Sequence, residues 1–154
     1  MLDRLDLALL NSVQRHGAQT AEELAEHVPL SPSAIARRLR RLRSDGWIER
    51  TIALVSQRLT DRYLRALVSI QLSEHADLEA KARLEERLRR SHQVQFCYET
   101  TGAFDMVALF LCGSMAEFNE LATELLTVDS TVRRYESSFV KREIKFAPFV
   151  DLQD

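Results

Sequence analysis

Leu30-Ser-Pro-Ser-Ala-Ile-Ala-Arg-Arg-Leu-Arg-Arg-Leu-Arg-Ser-Asp-Gly46 decides how this chain is read, because it crowds five arginines into the seven residues 37–43 around an apolar stripe. Ser31 suits an N-cap, Pro32 suits the first helical position, where a missing N–H is harmless, and Gly46 suits the left-handed residue past a helix end. These signals predict a helix from about residue 32 to residue 44. At about 100° per residue, Ile35, Leu39 and Leu42 fall on one narrow face, while Ser33, Arg37, Arg40 and Arg41 lie roughly opposite. Arg38 and Arg43 flank the stripe. A helix fits the major groove, and an arginine fork grips guanine edges or clamps phosphates. The exposed face therefore has the chemistry of a DNA recognition helix.

Upstream, Thr20-Ala-Glu-Glu23 is a capping box that opens a helix carrying Leu24, Ala25 and Val28. Only Val28-Pro29-Leu30 separates it from Ser31, which forces two short helices to cross steeply, as in a helix-turn-helix. Before it, Leu5, Leu9, Leu10 and Val13 define a first amphipathic helix that ends near His16-Gly17. Three helices can share one small core, and residues 1–50 are expected to form that DNA-binding unit.

The 154 residues fit two modest domains, and a formal net charge of −2 excludes a globally basic nucleic-acid coat protein. Positive charge is concentrated instead on one helix. Two cysteines, Cys97 and Cys112, are too few for a disulfide framework and sit in apolar runs, so both are expected to be buried thiols in a reducing cytoplasm. No apolar run approaches the roughly 20 residues that span a bilayer, and the chain starts on a charged amphipathic helix rather than a signal peptide. A cytoplasmic protein, on the nucleoid when DNA-bound, is the expectation.

After Gly46 the pattern changes. Residues 47–55 alternate and are β-branched, predicting a strand, and polar residues 57–63 read as a hinge, so 51–63 link the two domains. The remainder, 64–154, offers a strand at 65–73, a helix at 77–91 with Ala80, Leu84 and Leu88 on one stripe, and strands at 94–101 and 106–112 around Gly102-Ala-Phe-Asp105. A second capping box, Ser114-Met-Ala-Glu117, opens a helix with Phe118, Leu121 and Leu125 inward, and a last strand is predicted from about 133 to 146. The class is α+β. A helix-turn-helix, winged-helix-like, precedes a βαββαβ ferredoxin-like sandwich with its helices on one sheet face. Phe96 and Tyr98 share one side of their strand, so the uncovered face is partly apolar and is expected to pack on a second copy.

Leu2-Asp-Arg-Leu-Asp6, Leu30-Ser-Pro-Ser, Arg40-Arg-Leu-Arg-Ser-Asp-Gly-Trp-Ile48 and Thr101-Gly-Ala-Phe-Asp105 together resemble the leucine-responsive regulator/AsnC (Lrp/AsnC) family of prokaryotic transcription factors. The resemblance covers essentially the whole chain. It implies DNA-binding dimers that often assemble further, commonly to octamers, and a sandwich that binds a small effector, usually an amino acid, at contacts between dimers. The family's effector loop matches Gly102, Ala103, Phe104 and Asp105; the segment before the final strand matches Asp129-Ser-Thr-Val132, and a threonine of that strand aligns with Ser137. There Asp105 would receive an α-ammonium, N–H groups around Gly102 a carboxylate, and Ser130, Thr131 and Ser137 a polar rim. The same Gly-Ala-Phe-Asp also reads as a plain hairpin turn whose Asp accepts backbone hydrogen bonds.

Several positions depart from that family's pattern. Pro29 stands where relatives usually carry glycine, Ala103 replaces an acidic residue, and Asp129-Ser-Thr replaces Leu-Pro-Gly. The Asn/Asp-Pro and glycine that usually follow the linker strand are missing around Ser56 to Tyr63. Siroheme decarboxylases share the architecture, but the corresponding strand, Val94-Gln-Phe-Cys-Tyr-Glu-Thr, has no histidine. His16, His27, His75 and His92 lack metal-ligand spacing, and no phosphate loop or nucleophile elbow appears. No cofactor, metal or catalytic residue is expected; a ligand-sensing partner protein without DNA binding is the other alternative. In the regulatory reading Ser33, Arg37 and Arg41 lie near base edges, Ser31, Arg38 and Arg40 near phosphates, and Thr20 directs the N–H groups of its helix toward a phosphate.

Overall fold

The computed structural model describes residues 1–74 and 77–153, and the chain divides into two compact units: Met1–Leu54 with the tail from Lys145, and Val55–Ile144.

The first unit is built from α1 (Arg4–Arg15), α2 (Ala21–Ala25) and α3 (Pro32–Ser44). Each start is locally encoded. Asp3 and Asp6 form a capping box on α1, Thr20 and Glu23 form one on α2, and Ser31 Oγ accepts from Ala34 N on α3, which has Pro32 in its first turn. Gly46, at φ +78°, closes α3: its N–H reaches Arg43 O and the next N–H, of Trp47, reaches Leu42 O. Leu9, Leu10, Leu24, Val28, Ile35, Leu39 and Leu42 are buried together, each worth roughly 2 kcal/mol of apolar transfer. The turn between α2 and α3 is made without any positive φ, as Pro29 requires; Leu30 N instead closes on Val28 O at 2.7 Å.

The tail completes this unit. Asn11 on α1 hydrogen-bonds both the N–H and the carbonyl of Leu152, at 2.9 and 2.8 Å, and Gln14 does the same for Val150, at 3.0 and 2.6 Å. Leu152 packs against the helical core, and the Arg15 guanidinium lies 4.3 Å from the Phe149 ring centre. Residues from Lys145 onward, read in sequence as part of the sandwich, thus pack with the helices.

The second unit runs α4 (Gln57–Thr60), β1 (Leu64–Leu72), α5 (Leu78–Arg90), β2 (Val94–Glu99), β3 (Met106–Cys112), α6 (Met115–Leu126) and β4 (Val132–Phe139). All pairings are antiparallel in the order β2-β3-β1-β4, the sheet of a ferredoxin-like βαββαβ fold. Alternation puts Ala66, Val68 and Ile70 of β1 and Met106, Ala108, Phe110 and Cys112 of β3 into one core with Leu84 and Leu88 of α5 and Phe118, Leu121 and Leu125 of α6.

Four local expectations differ from the structure. Residues 47–55 form no strand, because alternation supplies only side-chain pattern and, among the described residues, 49–55 have no backbone partner. The stretch read as a hinge holds the short helix α4, capped by Ser56. β4 stops at Phe139 rather than near 146: Phe139 pairs with Ala66, Val140 N still donates to Arg65 O at 2.8 Å, and β1 begins at Leu64, so residues farther along have no β1 edge to pair with. Cys112 is buried as expected, whereas Cys97 is exposed on the edge strand β2.

Candidate functional site

α3 presents two kinds of arginine. Arg37 and Arg40 are exposed and make no ion pair among the described residues. Arg38 and Arg41, one turn apart, converge on the N-terminus of α1: Arg38 Nη1 lies 2.6 Å from Asp3 Oδ2 and 2.8 Å from Asp6 Oδ1, and Arg41 Nη2 lies 2.5 Å from Asp6 Oδ2. Asp6 is 1% exposed. Burial pushes its carboxyl pKa up, but the Arg38 hydrogen bond, the Asp3 N–H and the Arg41 charge outweigh burial and hold it below the ordinary value. The Arg38 hydrogen bond likewise lowers Asp3, and the two carboxylates raise Arg38.

At the start of α3, Ser31 and Ser33 are exposed with their hydroxyls 3.2 Å apart. Thr20 is exposed at the start of α2, where its Oγ1 accepts from Glu23 N at 3.2 Å. Of the residues assigned to DNA from sequence, Ser31, Ser33, Arg37, Arg40 and Arg41 lie exposed along one helix and Thr20 caps its neighbour; Arg41, though exposed, and the half-buried Arg38 are ion-paired to α1. Sequence reasoning missed Asp3 and Asp6 as members of this site. Their signal was there: Asp6 has helical spacing to Leu9, Leu10 and Val13, and a carboxylate on an apolar stripe demands a cationic partner.

In the second unit, the C-terminal end of β1 gathers two of the segments assigned to an effector. Asp105 Oδ2 accepts from Leu72 N at 2.8 Å, Asp105 N donates to Ile70 O, and Thr131 O accepts from Ser73 N at 2.8 Å. Asp105 thus accepts a backbone hydrogen bond, as the turn reading expects, but from another strand. Gly102 turns the hairpin at φ +146°, Ala103 is exposed beside it, and Phe104 lies under the Arg134 guanidinium, 5.2 Å from the ring centre. Thr131 is buried and hydrogen-bonds Asp129; with Arg87 it holds the Asp129 carboxyl below its usual range, and Ser130 is exposed beside it. Ser137 is not brought to this end. It pairs with Val68, four residues back along β1 or roughly 13 Å, and its buried Oγ has no hydrogen-bond partner among the described residues. A groove of about 400 Å³ between α5 and β2 is lined by Glu85, Arg89, Phe96, Cys97 and Glu99 and by none of the effector residues.

The described residues contain no His/Cys/Asp/Glu group able to hold a metal ion, and none of their helices is long and apolar enough to cross a membrane. His75 lies outside the described residues; His16, His27 and His92 are exposed.

Residues 2–49 match a family model for a winged helix-turn-helix DNA-binding domain, and residues 65–148 match that of the Lrp/AsnC ligand-binding domain. The chain belongs to the Lrp/AsnC family. It is similar to an uncharacterised helix-turn-helix-type transcriptional regulator of Sinorhizobium fredii, 34% identical over 145 residues, or 94% of this chain and 85% of that one. The leucine-responsive regulatory protein of Escherichia coli is 28% identical over 144 residues, covering 94% of this chain and 87% of its own. A transcriptional regulator of Neisseria meningitidis, solved in complex with L-methionine, superposes with a TM-score of 0.84 at 29% identity, over 96% of this chain and 95% of that one. This Lrp/AsnC-family chain is accordingly a DNA-binding transcriptional regulator with a ligand-binding domain.

Proposed function

We propose that this chain is an amino-acid-responsive regulator that binds promoter DNA as a dimer through α3. The carrying observation is the exposed row Ser33, Arg37 and Arg40 on a helix seated by three buried apolar residues and two carboxylate-held arginines. Such a helix enters the major groove with its arginines and serine at base edges and phosphates, while Ser31 and Thr20 sit where helix N–H groups meet the backbone.

Dimerisation is supported by the sheet face away from α5 and α6. Phe96 and Tyr98 stack there at 5.1 Å beside Val107 and Leu109, and Tyr98 is 62% exposed. A second copy covers that face, and a symmetric pair reads two half-sites. The effector is an amino acid at the β1 end: Asp105 meets its ammonium, the turn N–H groups near Gly102 its carboxylate, and Phe104, Ser130 and Thr131 shape the rim. The complex with L-methionine formed by the Neisseria regulator supports that ligand class. Assembly beyond the dimer at this end, and a cytoplasmic site of action, follow from the same reading.

The test is binding of the purified chain to its own promoter region and to random duplex, at several salt concentrations, with and without L-methionine or L-leucine. Tighter promoter binding that an amino acid changes is the expected result. Equal binding to both duplexes at every salt concentration would overturn promoter reading, and an amino-acid titration without effect on affinity or assembly would overturn the effector.

A further inference from the structure

The arginines of α3 differ in what they are free to touch, and the difference is set by another helix. Asp6 is buried on the apolar face of α1, where an unpaired charge is strongly unfavourable. Its partners are the guanidiniums of Arg38 and Arg41 and the backbone N–H of Asp3, at 3.2 Å; Asp3 adds a second carboxylate to Arg38. A DNA phosphate presents the same chemistry as this carboxylate pair, an anion with oxygens for an arginine fork. For Arg38 or Arg41 to leave for a phosphate, Asp6 would have to lose a charge partner inside the core.

We propose that Asp6, with Asp3, is a positioning residue for DNA recognition: it occupies Arg38 and Arg41 as an internal phosphate substitute. The sequence-independent charge contribution of α3 then falls to Arg40 and its exposed neighbours, and base discrimination falls to Arg37 and Ser33. This proposal departs from the division drawn from sequence, in which Arg38 lies near a phosphate and Arg41 near base edges. The device trades indiscriminate affinity for a helix held at one angle, since the carboxylates fix two side chains of α3 to the first turn of α1. The inference rests on the reading that α3 is the element facing DNA.

The salt dependence of binding separates these roles, because each phosphate contact contributes about 0.9 to the slope of log affinity against log salt. The full-length chain is titrated onto promoter and random duplex. Arg40→Gln is expected to lower the slope by about 1 per bound chain. Arg38→Gln and Arg41→Gln are expected to leave it unchanged. Asp6→Asn, which releases Arg41 and leaves Arg38 with Asp3 as its one carboxylate, is expected to raise the slope, tighten random-duplex binding, and cut the promoter-to-random ratio by about tenfold. Asp3→Asn touches only a half-exposed carboxylate and keeps the test alive if Asp6→Asn fails to fold; it removes one of the two carboxylates that hold Arg38 and should raise the slope by less than Asp6→Asn does. A fall of about 1 in the slope for Arg38→Gln or Arg41→Gln would overturn the proposal, as would Asp3→Asn and Asp6→Asn variants that lose thermal stability without any change in slope or ratio. If neither Arg37→Gln nor Arg40→Gln alters promoter binding or slope, α3 does not face DNA, and that reading falls together with the inference.

Discussion

The helical unit and the sandwich solve the placing of polar groups in opposite ways. In the helical unit, Asp6 is buried among leucines and its charge is answered by Arg38 and Arg41 from α3, so ion pairs around one buried carboxylate tie the two helices together. In the sandwich, the buried set between sheet and helices is apolar, and the polar groups collect at a strand end, where Asp105, Asp129 and Thr131 satisfy backbone N–H groups and one another. The first arrangement leaves a rigid row of arginines facing outward. The second leaves a cluster assembled from three chain segments around one strand terminus. A readout surface suits the first and a sensor suits the second.

The strongest test of this contrast is in the core beneath α3. Leu42→Ala should cost about 3 kcal/mol, measured by thermal unfolding, and should abolish DNA binding; a loss below about 1 kcal/mol would mean that the apolar stripe does not seat α3. Arg37→Ala is expected to lower promoter affinity by about 2 kcal/mol with little effect on random duplex, a difference that competition binding resolves. Truncation before Phe149 removes Leu152 and the hydrogen bonds to Asn11 and Gln14, and should destabilise the helical unit by about 2 kcal/mol, seen as faster hydrogen exchange in α1. Unchanged exchange would sever the tail from that unit energetically.

At the other site, Asp105→Asn keeps an oxygen for Leu72 N but removes the charge, so the fold should stay within about 0.5 kcal/mol while amino-acid affinity by calorimetry falls about tenfold. Equal affinity would remove Asp105 from ammonium binding. The smallest effect is in acid. Asp3 and Asp6 have folded pKa values below the unfolded value of about 3.9, so the folded state binds fewer protons than the unfolded one in that interval, and stability rises with pH through it. The contribution is complete above about pH 4 and disappears as pH falls through the folded values. The gap in melting temperature between the parent and Asp6→Asn should therefore close as pH falls below about 4; a gap that widens on acidification would contradict the sign.

The proposed DNA-facing row was legible in sequence because it lies on one helix whose beginning, end and faces are written within seventeen consecutive residues, Leu30 to Gly46. Ser31, Pro32 and Gly46 do locally what they were read to do, and Ile35, Leu39 and Leu42 are all buried. The effector residues were reachable only through resemblance, since no local rule brings a hairpin after β2 and a loop after α6 to the end of β1, or keeps Ser137 on a different stretch of the sheet. The strand expected at 47–55 shows the same limit, because alternation chooses a face but supplies no partner edge.

By itself the sequence determined the local and periodic features: the caps, the helical stripes, the alternating strands, the order βαββαβ and the cationic face of α3. These depend on residues a few positions apart, whose steric and hydrogen-bonding preferences act without help from the rest of the chain. Tertiary structure alone decided which arginines carry a partner, which cysteine is exposed, where β4 stops, and that the tail from Lys145 packs on α1. Each of those depends on a contact between residues far apart in sequence, such as Asp6 with Arg38 or Asn11 with Leu152, formed only when burial brings two segments together.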